Sequence, residues 1–546
     1  MRSGADIIGQ SLARQGCRVA FGMPGGEVLA LIDGLAKAGI RFVLTKHENA
    51  AGFMAEGYWH RQALEDHALE GSAPMAPGIL VATLGPGAAN AVNVVANAHQ
   101  DRVPLIVLTG RVDQAEAESY THQVFDHQAL FRPITKATLT ASKGAVARVI
   151  ERAIAIATEG QPGPVHVDVP ISVAEGEERD EDFRRALPAS AVAVGEALET
   201  ARAVLAAARR PLVIAGVDAV NSHAGEVLRG FIERCNAPVI TTYKAKGLVP
   251  EDHPLSLGGA GLSPKADKHL LPFLAEADCI VLAGYDPIEM RINWRDPFPA
   301  GVPVIELAAS LPTHQMHRAD HLLVGDIGAN LAAISDGLAA KPGIDTAKVM
   351  ATKSALRAAF APEPAWGPGV VFDTIRRLAP ADTLATADSG AHRILLSQMW
   401  TVLEPRGLMQ SSALCTMGCA VPLAMGAQMA SPERYVIAFV GDAGLEMGIG
   451  ELATARDLGL PVIVVVLQDE RLALIDLKQR ASGRAELGVR FGATDFAAVA
   501  KAFGGDGITV SDRAGLEAAF AGALARRDRF TLIAAKIAPD AYEGRL

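Results

Sequence analysis

Cysteine is scarce and its spacing carries no metal or redox motif. Cys17, Cys235, Cys279, Cys415 and Cys419 are odd in number and none stands in a Cys-x-x-Cys pair, which fits a reduced cytoplasm rather than a disulfide framework. Cys415 and Cys419 would share one helix face, but no histidine or third thiol lies near enough in sequence to complete a metal site. Positive charge is also short. Against 61 Asp and Glu stand 51 Lys and Arg, a net charge of −10, so there is no field to hold a nucleic acid or an anionic membrane, and neither is expected as a partner. No apolar signal core opens the chain, because Asp6, Gln10, Arg14, Gln15 and Arg18 interrupt it; a cytoplasmic location is expected. The long uncharged stretch from Gly407 to Pro432 fails as a membrane span on content, since Gln410, Ser411, Ser412, Thr416 and Gln428 dilute it. Pro422 interrupts any helix there unless it sits in a first turn, so the stretch reads as a buried loop and helix at the centre of a large domain.

What is present is globular in composition: 50% hydrophobic, 21% charged, with 53 glycines and 31 prolines, which rules out disorder and fibre. At roughly 150 residues per domain, the chain of 546 residues holds three to four cores. The first segment alternates helix and strand. Helical patterns over Ile7–Ala13, Leu29–Ala36, Asn49–Tyr58 and Ala89–His99 separate apolar strands at Val19–Gly22, Arg41–Leu44, Gly78–Thr83 and Pro104–Leu108. Continuous apolar strands between helices indicate a parallel sheet covered on both faces. Residues Ala63 to Pro77, acidic and proline-bearing, read as a surface insertion.

A strand at Pro164–Pro170 leads into a charged run, Glu175 to Arg185, that reads as a solvated linker. A second alternating block has strands at Pro211–Ala215, Pro238–Thr242, Cys279–Ala283 and Pro303–Leu307. Lys341 to Pro368, with a helical-looking centre, is a second connector, and a third block has strands near Thr383–Thr386, Tyr435–Val440, Pro461–Leu467 and Phe530–Ala535. The expected fold is α/β, three successive parallel-sheet domains over residues 1–175, 190–338 and 368–540.

The chemistry concentrates between Tyr435 and Gln479. A strand ends in Gly441-Asp442-Ala443-Gly444, a helix from about Gly448 to Leu458 crosses over, and a second strand ends in Gln468-Asp469-Glu470-Arg471. A right-handed crossover puts both strand ends on one sheet edge, where open α/β sheets bind ligands. Two carboxylates approaching there repel unless a cation separates them, and hard oxygen ligands suit Mg²⁺ or Ca²⁺. Two helix-capping aspartates are the other reading of the same pattern.

The pairing of Gly441-Asp442-Ala443-Gly444 with Gln468-Asp469 across one βαβ unit resembles the thiamine diphosphate signature, Gly-Asp-Gly at one end and Asn-Asn at the other. Four further segments resemble counterparts in the acetolactate synthase branch of that family: Phe21 to Glu27, His47 to Tyr58, Leu84 to Asn90, and Cys415-Thr416-Met417-Gly418. The resemblance runs end to end and implies pyrimidine-binding, middle and pyrophosphate-binding domains in that order, with thiamine diphosphate and Mg²⁺ as cofactors. It implies that Asp442, Asp469 and the backbone carbonyl of Arg471 ligate the Mg²⁺, and that Gly390, His392, Ala443 and Gly444 lie at the phosphates. Met417 would be the apolar wedge that bends the cofactor. Glu48 would hydrogen-bond its aminopyrimidine and drive proton removal from the reactive carbon, while Pro24, Gly25, Pro86, Asn90 and Gln123 border that centre. Read without the resemblance, Met417 is core and Glu48 a surface residue.

The implied activity is carboligation starting from a 2-oxo acid such as pyruvate, acetolactate synthase-like. The alternative is simple decarboxylation, or carboligation with another donor or acceptor. Departures bear on substrate: Ala443 replaces a glycine, Asp469 an asparagine, and Leu477-Lys478 stand where anabolic synthases have a Gln-Trp pair. Ala283 to Glu289 resembles the FAD-free catabolic synthases, and the middle domain has no Gly-x-Gly-x-x-Gly turn opening a helix, so no FAD is expected; Gly258-Gly259-Ala260-Gly261 reads as a tight turn. The family also implies a homodimer or homotetramer with each site shared between subunits.

Overall fold

A computed structural model of the chain describes residues 2–70, 75–179, 183 and 189–546. Its architecture is three six-stranded sheets, every pairing within them parallel. In spatial order the first sheet is Arg41–Leu44, Val19–Gly22, Gly78–Ala82, Leu105–Arg111, Val165–Pro170 and Ala137–Thr140. The second is Ser256–Ala260, Val239–Thr242, Pro211–Ala215, Cys279–Ala283, Val304–Ala308 and His321–Val324. The third is Leu408–Gln410, Leu384–Ala387, Val436–Gly441, Ile463–Gln468, Thr531–Lys536 and Asp506–Val510. Strands such as Gly78–Ala82, Pro211–Ala215 and Cys279–Ala283 are buried at every residue, because helices cover both faces. Each fully buried Leu, Ile, Val or Phe on them contributes about 1.5–3 kcal/mol relative to exposure.

Strands that are not continuous apolar runs escaped sequence reading. Ala137–Thr140 and Asp506–Val510 are edge strands in which polar residues alternate with apolar ones; His321–Val324 is an edge strand too, with Leu322 and Val324 exposed. The expected turn at Gly258–Gly261 is corrected: Ser256–Ala260 is an edge strand, and the left-handed Gly258 (φ +83°) is the extra residue of a bulge where Val239 pairs Ser256 and Thr241 pairs Gly259. The surface insertion is corrected too. One helix runs from Glu48 to Glu70, its polar residues satisfied against the first segment by Gln62 Nε2 donating to Gly16 O (2.7 Å) and Arg18 donating to Asp66 (2.9 Å); residues 71–74 lie outside the described residues. The start of the expected linker is ordered, with Glu177–Glu178 pairing antiparallel to Arg2–Ser3, while most of the rest of that run lies outside the described residues. The connector's helical centre is the helix Thr346–Ala359, and Pro422 stands in the first turn of Ala420–Ala430.

That last helix docks the first and third domains against each other. Glycines make the approach possible: a Cβ on Gly57 would lie 2.1 Å from Leu423 O, and one on Gly426 would lie 2.0 Å from Met54 O. Arg406 caps the junction, its guanidinium 4.3 Å from the centroid of the buried Trp59 ring. No helix among the described residues is long and apolar enough to cross a membrane.

Candidate active site

Register brings the two aspartates together. Gly441 pairs with Leu467 in the parallel ladder, so both strands end at the same level and their next residues turn over one edge. The helix begins at Asp442 itself, earlier than the expected Gly448, and a second helix, Glu451–Asp457, completes the crossover. Asp442 Oδ2 accepts the backbone N–H groups of Asp469 (3.0 Å) and Glu470 (2.7 Å), and Oδ1 accepts that of Ala443 (2.9 Å). Glu470 adopts φ +58°, a left-handed turn that aims two successive amides at one carboxylate. Asp469 Oδ1 accepts Arg471 N–H (3.3 Å), and the Arg471 side chain is drawn aside to Asp476 (2.9 Å).

Both carboxylates are buried, 3% and 6% exposed. Burial pushes the Asp442 carboxyl up, against the lowering effect of its three amides. Burial, and next the Asp442 charge, push Asp469 up to about 8. Two desolvated like charges are the arrangement that a cation relieves. Three amides occupy three of the roughly four lone-pair directions of the Asp442 carboxylate, leaving one on Oδ1 for a metal.

The surrounding cavity is lined by Ser389, Gly390, His392, Met417, Gly444 and Tyr542, among others. Gly390 is the N-cap of the helix Ala391–Met399, whose first amides, without a side-chain cap, suit an anion. His392 Nε2 bonds Asp388 Oδ1 (2.8 Å), and Asp388 Oδ2 accepts Gly418 N–H (2.8 Å), so one buried carboxylate fixes both the imidazole and the backbone after Met417. A Cβ on Gly444 would lie 2.0 Å from Asp388 Oδ2, which leaves backbone alone on that wall. The Tyr542 hydroxyl is buried without a hydrogen-bond partner, and burial followed by the Asp469 and Asp442 charges drives its pKa well up. An orphan donor, two strained carboxylates and a side-chain-free wall fit a diphosphate held with a divalent cation. Asp388 and Tyr542 are site residues that the sequence reading lacks: Asp388 precedes Gly390 and His392 with no motif of its own, and Tyr542 follows the last strand with no motif around it.

The remaining candidates gather elsewhere. Glu48 opens its helix, 4% exposed, and its Oε2 accepts Asn90 Nδ2 (2.9 Å). Pro86 starts the short helix Pro86–Asn90 after a left-handed Gly85. A Cβ on Gly85 would meet Gln123 O at 2.5 Å, and one on Gly25 would meet Thr83 Oγ1 at 2.2 Å, so the loop residues Pro24, Gly25 and Gln123 gather with Pro86 and Asn90 of that short helix at the strand ends of the first sheet. Gln123 lines a separate concavity with Arg111, His127 and Asp168. Among the described residues none of the first domain lines the Asp442 cavity, so within one chain Glu48 and Gln123 are not brought to Asp442. Cys415 and Cys419 are free.

Comparison with known proteins gives the family. "Thiamine pyrophosphate enzyme, N-terminal TPP binding domain" matches residues 2–130, the central domain 198–334, and the C-terminal TPP binding domain 388–535. The chain is 31% identical to the acetolactate synthase large subunit of Parasynechococcus marenigrum, covering 96% of this chain and 85% of that protein. It is 30% identical to the acetolactate synthase large subunit of Lactococcus lactis (87% and 82% covered) and 31% identical to a probable 2-ketoarginine decarboxylase of Pseudomonas aeruginosa (90% and 87%). With three TPP domains in order and relatives of this closeness over most of its length, the chain belongs to the thiamine pyrophosphate-dependent enzymes as a homologue of the acetolactate synthase large subunits.

Proposed function

We propose that the protein is a thiamine diphosphate- and Mg²⁺-dependent carboligase that takes a 2-oxo acid such as pyruvate as donor, built of domains spanning residues 1–175, 190–338 and 368–540. The observation that carries this reading is the buried Asp442–Asp469 pair, whose repulsion a cation bridging to a diphosphate would relieve. Asp442, Asp469 and the Arg471 carbonyl would hold the metal, Gly390, His392, Ala443 and Gly444 would line the phosphates, and Met417 would be the apolar wedge against the cofactor. When bound, thiamine diphosphate supplies the electron sink that lets a 2-oxo acid lose CO₂. Glu48 holds the proton at the aminopyrimidine nitrogen, and Asn90, which donates to the same carboxylate, orients it. Pro24, Gly25, Pro86 and Gln123 border the reacting centre.

Glu48 reaches the Asp442 cavity only from a second chain. The functional unit is therefore a homodimer or a homotetramer with two-fold related sites, working without FAD in the cytoplasm. A second reading, 2-oxo acid decarboxylation, is favoured by Leu477-Lys478 in place of the Gln-Trp pair and by the decarboxylase among the relatives. Incubating the holoenzyme with a panel of 2-oxo acids, with and without aldehyde or keto acid acceptors, separates the two: carboligated hydroxy ketones or acetohydroxy acids support the first, aldehyde alone the second.

A further inference from the structure

Two clusters outside the cleft gather metal-ligating side chains. In the first domain these are His127, His166 and Asp168, and hydrogen bonds already occupy their ligand atoms. Gly85 N–H donates to His127 Nε2 (3.1 Å), His127 Nδ1 bonds Asp168 Oδ1 (2.9 Å), and Thr109 Oγ1 reaches both His166 Nε2 (2.7 Å) and Asp168 Oδ1 (2.8 Å). That cluster is a hydrogen-bonded brace.

The middle domain holds the other, Glu306, His314 and His317, with one ligand atom of each within 4.8 Å of the other two. Glu306 lies on the buried strand Val304–Ala308. The His317 side chain is 1% exposed and its Nε2 stands 3.3 Å from Glu306 Oε2, yet neither of its ring nitrogens makes a hydrogen bond. His314 is half-buried, its ring centroid 4.8 Å from that of His317, and its Nδ1 accepts only a long 3.4 Å bond from Met316 N–H. Tyr285 and Phe298 pack their rings 5.2 and 5.9 Å from the His317 ring, closing its far side to water.

We propose that Glu306, His314 and His317 bind a divalent transition-metal cation, zinc fitting best, with the remaining coordination position open beside the half-buried His314. Two imidazoles and a carboxylate are a borderline-soft donor set that suits zinc, whereas Mg²⁺ takes oxygen ligands in an octahedron. The two donor sets therefore differ, and Mg²⁺ in excess keeps zinc from the oxygen ligands of the Asp442–Asp469 pair. Tetrahedral bonds of about 2.0–2.1 Å put ligand atoms roughly 3.4 Å apart. The contraction falls on the irregular segment between Ala308 and His321 that carries both histidines, while Glu306 stays fixed in the sheet. The cation would give the buried His317 nitrogen the partner it lacks and tie that segment to the strand.

The test uses the full-length protein loaded with thiamine diphosphate and excess Mg²⁺, equilibrated with zinc, dialysed against metal-free buffer, and analysed for zinc by mass spectrometry and for thermal midpoint. One retained zinc per chain and a raised midpoint are expected. His314→Gln, at a half-exposed position, should keep the fold and the Mg²⁺ loading while losing at least about tenfold in zinc affinity. Glu306→Gln should behave alike, and cobalt substitution should give the visible absorption of a tetrahedral site in the parent alone. A parent that retains no zinc overturns the proposal, as does a His314→Gln variant that retains as much as the parent. Neither readout depends on turnover.

Discussion

Mg²⁺ binding should be pH-dependent through Asp469, and replacing that residue by asparagine should remove most of the dependence. The Asp469 carboxyl is pushed up to about 8 by burial and by Asp442, and a proton must leave before the carboxylate ligates a cation. The deprotonated fraction rises from about 1% at pH 6 to about 50% at pH 8, so the affinity for Mg²⁺ with thiamine diphosphate should rise about 50-fold over that interval from this group. Between its unfolded value of 3.8 and about 8 the folded apoprotein keeps a proton that the unfolded chain has lost. Apoprotein stability from this group therefore falls as pH rises through that window, and the bound cation restores it. Asp469→Asn offers an amide oxygen with no proton to release, and should bind at both pH values within about threefold of one affinity, apart from the titration of the cofactor's own phosphate. Calorimetry at pH 6 and pH 8, in two buffers of different ionisation enthalpy, reads affinity and proton release together. Equal pH slopes in the parent and the variant would refute the assignment of Asp469 as a metal ligand that titrates.

Asp442→Ala should fold but fail to retain thiamine diphosphate on gel filtration, since the carboxylate both ligates the metal and collects three backbone amides. Glu48→Gln should keep the cofactor and lose about 10²–10⁴-fold in turnover, read together with slowed deuterium exchange at the reactive cofactor carbon. Gly444→Ala puts a Cβ 2.0 Å from Asp388 Oδ2 and should cost about 1–3 kcal/mol of stability, measured by urea unfolding, along with diphosphate binding. Mixing Glu48→Gln with Asp442→Ala chains should regenerate one intact site per heterodimer; verified heterodimers with no activity would mean that each site is built within one chain.

Strands buried on both faces were legible because they are written as unbroken apolar runs: Val19–Gly22, Pro211–Ala215 and Cys279–Ala283 begin and end where the residues suggest. The approach of Asp442 to Asp469 was legible for a topological reason, since a βαβ unit returns both strands to one edge. The edge strands Ala137–Thr140 and Asp506–Val510 were not, as polar residues break up the apolar run. The helix beyond Tyr58 was misread because its charged residues look like a loop until Gly16 O and Arg18 supply their partners, contacts between segments more than forty residues apart. Tyr542 reaches the Asp442 cavity only through the folding of the chain end, and Asp388 acts through His392 and Gly418 rather than through a spacing of its own.

The most direct measurement is CO₂ release from a panel of 2-oxo acids, pyruvate first, by parent and Glu48→Gln protein supplied with thiamine diphosphate and Mg²⁺. The parent should release CO₂ from at least one of them, strictly dependent on both cofactors, and Glu48→Gln should be at least about 100-fold slower. A folded, cofactor-loaded parent that releases CO₂ from no 2-oxo acid, or a Glu48→Gln variant as fast as the parent, would contradict the account.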